Sequence, residues 1–501
     1  VGCRRVEIRY GASTSCLRAQ DGGQIHLITH LRNTICTRVD GAEFSRAYIS
    51  GEWDGYRRPV HTNGVFPTGL LDRVVSECGL LGYQVTISGV PQFDPVPRHP
   101  PGLSGRDISE TGPYAFQWEA AKTALQKHRG TIRVPTGGGK TTVAAIILQV
   151  LKEHRAVFLV DSLDLLYQAR EELSRLLDED VWCFGGGATD VGSGRICVAT
   201  VQSLEEKRSE KGDTKGQVLT KIWSLRNSPI SEWLSQVSVV FADECHLATS
   251  DGFYGVIQAF RKAHYRYGLS ATPYHRGDTN TLKLIEICGE VIVDIPAIEL
   301  VNKGILAEPR IHIVVYDGWT PPPNSNSIVC KYSDSVKRNI HENMRRNTAI
   351  TKIAESRDKV LILVQSKSNH GKILETLIRA RVRENKTVVY LHGDVMSETR
   401  KSELEKFRRG DTNVLIATRI LEKGVDLPSV RTLILAGGGR DHSGTIQRLG
   451  RGMRNTDGKG HVDVFDFFDA QDLYMSSHTL ERISVYESEG YNLTWIDSGE
   501  L

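Results

Sequence analysis

From about Thr131 onward the chain alternates short, continuously apolar, β-branched runs with amphipathic helix-like stretches, the pattern of a parallel sheet covered by helices on both faces. The first series of runs predicts strands at Thr131–Val134, Ala156–Asp161, Arg195–Ala199, Val237–Ala242 and Arg266–Ser270. A second series predicts Val360–Val364, Val388–Leu391, Val414–Ala417, Thr432–Leu435 and Val462–Phe467. The fold class expected is therefore α/β, with two tandem domains on parallel sheets. Their boundary is expected near Ile295–Ala307, and an exposed Pro-rich loop at Trp319–Ser327.

Residues ahead of about Gly105 follow another pattern. Short mixed segments, the aromatic patch Trp53-Asp54-Gly55-Tyr56 and a turn-rich Val90–Ser104 with five of the chain's 17 prolines read as a small α+β accessory domain followed by a linker. The expected division is 1–104, 105–300 and 301–501. Between Glu205 and Gln236 the charged text with Lys-Gly-Asp and Asn-Ser-Pro turn signals predicts a surface insertion.

Composition narrows the class without naming a chemistry. A length of 501 residues exceeds one ordinary core, and 40% hydrophobic with 25% charged residues suits a globular protein. No apolar run approaches the roughly 20 residues that span a bilayer, and Val1-Gly2-Cys3-Arg4-Arg5 lacks the apolar core of a signal peptide, so a cytoplasmic location is expected, the host cytoplasm for a viral protein. Nine cysteines without a CxxC pair suggest neither a disulfide framework nor a zinc site. A formal charge of +3 leaves a polyanionic partner open, because local patches matter more than the sum.

Chemistry enters at Thr131-Ile132-Arg133-Val134, which runs into Pro135-Thr136-Gly137-Gly138-Gly139-Lys140-Thr141-Thr142 and then the helix-like Val143–Leu151. Strand, glycine loop and helix N-terminus in that order let backbone N–H groups wrap a phosphate. Thr136, Gly137, Gly138, Gly139, Lys140, Thr141 and Thr142 are the expected nucleotide contacts, with Lys140 on the β/γ-phosphates and the Thr141 hydroxyl on Mg²⁺. Val134 stands where the full phosphate-loop pattern has its first glycine. The apolar Val239-Val240-Phe241-Ala242 then ends in Asp243-Glu244-Cys245-His246. A carboxylate at a strand's carboxyl end suits Mg²⁺, so Asp243 is the expected metal ligand and its neighbour Glu244 the base for an attacking water. Cys245 has no His/Asn arrangement that would make it a nucleophile.

The order PTGGGKT, DECH, SATP, QRLGRGMR, spread over residues 113–470 and two α/β domains, resembles the superfamily-2 helicases and translocases. The resemblance implies two RecA-like domains, ATP and Mg²⁺ as cofactors, and a nucleic-acid strand as track. It places Gln117 on the adenine edge, although Tyr114 stands where the family often has an arginine. It assigns Thr200 and Gln202, with the segment Leu159–Gln168, to the nucleic-acid backbone, and His246, Ser270 and Thr272 to coupling. In the second domain it assigns His392, Gly393 and Thr418 to the strand, Gly424 and Asp426 to nucleotide sensing, and Gln447, Arg451 and Arg454 to the last catalytic motif, with Arg451 and Arg454 on the γ-phosphate, for which arginine's fixed fork is suited.

A finer resemblance, carried by Glu299–Gly304, Arg345-Arg346-Asn347 and a closing helix with Arg482 and Tyr486, is to the phage UvsW-type, XPB- and RecG-like branch. It implies a DNA helicase that unwinds or remodels branched DNA in recombination and replication repair, acting as a monomer, with single-strand-binding or replication proteins as partners. In the accessory domain, Tyr56 with Arg57-Arg58 offers a stacking ring and cations for DNA, or else closes a small core. Two other readings stay open: an RNA-directed or transcript-releasing ATPase, and a strand-annealing module reset by ATP.

Overall fold

The computed structural model describes residues 4–20, 22–187, 191–206, 219–220, 229–273, 279–316, 332–365, 369–382, 386–418, 430–439, 460–471 and 473–501. The chain divides into two compact units, Val1–Val134 with Gly139–Asp294, and Ile295–Leu501 with Pro135–Gly138.

The first unit opens with strands β1 (Arg4–Arg9), β2 (Thr14–Ala19), β3 (Val65–Pro67) and β4 (Tyr83–Ser88), in sheet order β3-β2-β1-β4. Period-two alternation sets their faces: Val6 and Ile8 point to the core while Arg5, Glu7 and Arg9 face solvent. Helices α1 (Gln24–Thr34) and α2 (Leu71–Leu80) bury Leu27, Leu31 and Val74 with those apolar residues.

Five helices matter beyond this sheet in the first unit: α3 (Ala115–Lys127), α4 (Lys140–Val150), α5 (Leu163–Leu177), α6 (Asp251–Ala259) and α7 (Thr279–Cys288). The accessory sheet shares its core with α7, whose Leu282 and Ile285 join Phe66 and Leu70. At Gly69 a Cβ would lie 1.9 Å from the Ile285 carbonyl oxygen, so only glycine admits this approach. Arg57 donates from Nε and Nη2 to the buried Glu286 carboxylate at 2.8 and 2.6 Å, and the Tyr254 hydroxyl donates to it at 2.6 Å. Arg57 is thus committed to pinning the accessory segment that carries it, paired with Thr37–Arg38, against α7. The stretch Val90–Ser104 carries neither helix nor strand, and it is pinned rather than loose: Asp94 accepts from the Tyr265 hydroxyl at 2.8 Å and pairs with His154 at 2.8 Å, and Ser104 N–H donates to Leu176 O at 2.8 Å.

The main sheet of this unit is all-parallel. Its strands are β5 (Arg129–Arg133), β6 (Ala156–Val160), β7 (Val181–Phe184), β8 (Ile196–Thr200), β9 (Val239–Asp243), β10 (Tyr265–Ser270) and β11 (Val291–Asp294), in order β11-β5-β10-β9-β6-β8-β7. Five were expected from continuous apolar runs. The two that were not, β7 and β11, are the edges. From the expected insertion the structure describes the pairing of 205–206 with 219–220 and the helix Pro229–Ser235.

The second unit repeats the plan with β12 (Glu308–Val315), β13 (Val360–Leu363), β14 (Val388–Leu391), β15 (Val414–Ala417), β16 (Thr432–Leu435), β17 (His461–Phe467) and β18 (Leu493–Asp497), in order β14-β15-β13-β16-β17-β12-β18, again all-parallel. Among its described helices are α8 (Met344–Ser356), α9 (His370–Arg379), α10 (Ser397–Arg409) and α11 (Leu473–Ser488). Ile350, Ile353, Leu374 and Ile378 of α8 and α9 cover Ile362 and Ile416. The α/β fold with two parallel sheets and a small mixed sheet ahead of them is the one the hydrophobic runs predict. The expected loop Trp319–Ser327 lies outside the described residues.

Candidate nucleotide-hydrolysis site

Parallel strands bring their carboxyl ends to one edge, where loops converge. In the first unit β10 lies between β5 and β9, so the glycine loop, the Asp243-Glu244 pair and Ser270 come out side by side; Ser270 stands opposite Arg133, and Asp243 opposite Leu269. Residues more than 100 positions apart in the chain meet there because the sheet order requires it.

The loop itself turns through Gly137 and Gly139, with φ of 85° and 93°. A Cβ at Gly139 would lie 2.3 Å from Gln117 Nε2 and 3.3 Å from Thr142 Oγ1. Gln117 is fully buried on α3, so this side chain closes the space a larger residue would need. Helix α4 starts at Lys140, and its first N–H groups are the unsatisfied donors that bind anions.

Lys140 Nζ donates to Glu244 Oε1 at 2.8 Å. Burial alone would lower the Lys140 pKa, but the Glu244 and Asp243 charges overcome it and the ammonium is held above its ordinary value. Asp243 shows the opposite balance: burial first, then the adjacent Glu244 charge, raise its carboxyl to about 7 despite Lys140. Two carboxylates so close favour a neighbouring divalent cation. Glu244 has φ 46° and ψ 51°, the left-handed region that non-glycine residues rarely occupy. Glu244 Oε2 lies 3.5 Å from His246 Nδ1, the same nitrogen is 3.1 Å from Ser270 Oγ, and Ser270 Oγ accepts from Thr272 N–H at 3.0 Å. Polar contacts therefore run without a gap from Lys140 to Thr272.

Cys245 sits beneath this path, fully buried, with its thiol pushed well above the ordinary value by burial. Gly268 on β10 makes room for it, since a Cβ there would lie 2.9 Å from Cys245 Sγ. That is a packing role. Hard oxygen ligands at Thr141 and Asp243, a glycine turn that a Cβ would block and a cationic lysine at a helix start together fit a Mg²⁺–nucleoside triphosphate.

Other expected residues fall into separate places. Thr200, at the end of β8, is buried with Oγ1 2.6 Å from Ser203 Oγ, and Gln202 Nε2 donates to Asp161 O at 3.1 Å. Thr418 and His392 follow the paired strands β15 and β14 of the second unit, with Thr418 N–H donating to Leu391 O at 3.2 Å; Gly393 follows His392. Gly424, Asp426, Gln447, Arg451 and Arg454 lie outside the described residues.

Two features were missed in the sequence. Arg106 lies 5.5 Å from the Tyr114 ring and donates to Thr142 Oγ1 at 3.2 Å, bringing a cation to the segment where the family's arginine is replaced. The turn Gly185-Gly186-Gly187 after β7, with positive φ throughout, lies against Tyr167, which is 52% exposed. A glycine triplet after an apolar run was the available signal.

With this geometry in place, residues 110–275 match the family described as Type III restriction enzyme, res subunit, and residues 345–456 match the Helicase conserved C-terminal domain. The chain belongs to the superfamily-2 helicases and is an ATPase of that class. Among its relatives is the ATP-dependent DNA helicase uvsW of Enterobacteria phage T4, 23% identical across 92% of this chain and 94% of that one. The DNA 3'-5' translocase XPB2 of Sulfurisphaera tokodaii is 26% identical across 68% of this chain and 78% of its own. The fold is also similar to that of the Type ISP restriction-modification enzyme LlaBIII, with a TM-score of 0.56 and 15% identity over 86% of this chain and 36% of that one. No helix among the described residues is long and apolar enough to cross a membrane.

Proposed function

We propose that the chain is an ATP-driven DNA translocase that remodels branched DNA in recombination and replication repair. The observation that carries the reading is the path from Lys140 through Glu244 and His246 to Ser270 and Thr272, because it links the groups that meet the nucleotide to a strand end that can relay their state.

Bound Mg²⁺ supplies charge that holds the phosphates and offsets what develops on them. Thr141 and Asp243 hold that ion. Lys140 exchanges Glu244 for phosphate oxygens when nucleotide enters, and the released Glu244 carboxylate takes a proton from the attacking water. His246, placed between Glu244 and Ser270, passes the change to Thr272. Gln117 reads the adenine edge, while Gly424 and Asp426 sense nucleotide, Arg451 and Arg454 offset charge on the γ-phosphate, and Gln447 belongs to the same catalytic motif. Thr200, Gln202, His392, Gly393 and Thr418 hold the strand through its backbone, so base identity is not read.

DNA is favoured over RNA by the two relatives above, whose names specify DNA and which cover most of this chain. Support also comes from the open face of the accessory sheet, where Arg5, Arg9 and Arg18 are exposed around a single Glu7. A basic face of this kind suits phosphates. Action as a monomer, with single-strand-binding or replication proteins as partners, belongs to the same proposal.

The test is the ATPase rate at fixed salt without nucleic acid and with single-stranded DNA, duplex, a fork, a four-way junction and matched RNA. Strongest stimulation by fork and junction is expected. Stimulation by RNA alone would replace this reading with the transcript-directed one.

A further inference from the structure

Arg129 opens β5, and the other end of that strand leads into the phosphate loop, so Arg129 stands at the end of the sheet away from the chemistry above. There the accessory sheet, the stretch that follows it and the main sheet border a cavity of about 520 Å³, with Tyr10, Ile87, Val90, Lys127, Arg129 and Glu290 on its wall. Ile87 and Val90 are apolar yet 39% and 50% exposed. Phe93 stacks on His128 with ring centroids 3.5 Å apart, and both rings line the same space.

The charge on Arg129 distinguishes this cavity. Its Nη2 donates to Ala12 O, while Nε and Nη1 are shut off from solvent and have no hydrogen-bond partner among the described residues. No carboxylate among those residues pairs with the guanidinium: of the two on the cavity wall, Glu290 is held by Arg73, and Asp72 lies in the first turn of α2. Burial holds the Arg129 pKa below its ordinary value, with Tyr10 and Cys288 acting in the other direction. Its buried neighbour Arg266 is placed differently. That side chain donates to Ile257 O, Phe260 O and Ala263 O at 3.1, 2.6 and 2.8 Å, carbonyls at and just after the end of α6, where a cation is favoured. Arg129 has one carbonyl, and a charge buried in that way is costly unless a counter-charge meets it.

We propose that this cavity binds a small organic anion, whose phosphate or carboxylate group supplies the counter-charge for Arg129 and whose apolar part covers Ile87 and Val90. The volume is that of a site for a small organic molecule and far exceeds what one inorganic ion fills. Lys127, exposed beside Arg129 in the chain, brings a second cation to the wall, and Arg73 offsets the Glu290 carboxylate. A ligand there touches the accessory domain through Tyr10 and the main sheet through Arg129.

The experiment titrates the full chain calorimetrically with phenyl phosphate, benzoate and inorganic phosphate, after the nucleotide site has been filled with a non-hydrolysable ATP analogue and Mg²⁺. One phenyl phosphate or one benzoate is expected to bind per chain with a Kd of about 1 mM or tighter, at least tenfold better than inorganic phosphate. Which aromatic probe binds more tightly tells a phosphate ligand from a carboxylate one. Arg129→Met should weaken that binding at least fivefold. Val90→Trp, which fills the cavity from a half-exposed position and leaves the charge in place, should weaken it as much, and it decides the matter if Arg129→Met does not fold. No binding of either aromatic probe overturns the proposal. So does inorganic phosphate binding within tenfold of them, or a loss smaller than fivefold in either folded variant.

Discussion

Replacing Gly139 by alanine tests the phosphate loop through the conformation it must hold. The residue sits at φ 93° and ψ 44°, where an L-residue carries a cost of about 1–2 kcal/mol. Its new Cβ would lie 2.3 Å from Gln117 Nε2, so the buried Gln117 amide has to shift, and overpacking adds about 1–3 kcal/mol. A total of about 3 kcal/mol corresponds to roughly a 100-fold loss of affinity if the free loop relaxes and the strain returns on binding. Titration of a fluorescent ATP analogue, with melting temperature measured alongside, reads this directly. Made in a Gln117→Ala background, the same substitution should cost only about tenfold, because the backbone cost of about 1–2 kcal/mol then remains alone. A Gly139→Ala protein that binds nucleotide within threefold of wild type would refute the cradle.

Glu244→Gln should lower single-turnover hydrolysis by about 10²–10⁴-fold, the usual worth of a general base, while nucleotide binding stays within a few-fold. Arg57→Leu leaves Glu286 buried without its cation, at about 3 kcal/mol, and thermal unfolding should show a melting temperature about 6–12 °C lower; adding Glu286→Leu should recover most of it. Acid should weaken the second unit through Asp466. Burial raises that carboxyl, but Arg482 and Tyr486 outweigh it and the net pKa is lowered. A depressed folded pKa gives stability that is present above the unfolded value of about 3.9 and is lost as pH falls toward the folded one. Melting temperature should therefore drop below about pH 4, and Asp466→Asn should be less stable at pH 7 with a flatter acid limb.

What was legible in the sequence follows burial. Ala156–Val160 and Val239–Ala242 are apolar on both faces because sheet neighbours and helices cover them, so their runs stand out. Strands β7, β11 and β18 lie at sheet edges, and β12 next to one, where fewer faces need apolar residues; β12 carries Pro309, which precedes the stretch Ile311–Val315 that β18 covers. The site was legible where chemistry is local, at Gly137–Thr142 and Asp243-Glu244. It was not legible where it depends on distant partners: nothing beside Arg57 in the chain announces Glu286, and nothing beside Arg482 announces Asp466. Arg57 was read as a cation for DNA, and the structure gives it to a buried carboxylate instead.

The central claim, that ATP turnover drives work on branched DNA, is most directly tested by following a labelled four-way junction with wild type and Glu244→Gln in the presence of Mg²⁺ and ATP. Junction strands should be exchanged or separated by the wild type at a rate that scales with ATP hydrolysed, and the variant should bind the junction without processing it. Equal processing by both proteins, or processing by the wild type without ATP, would contradict the account.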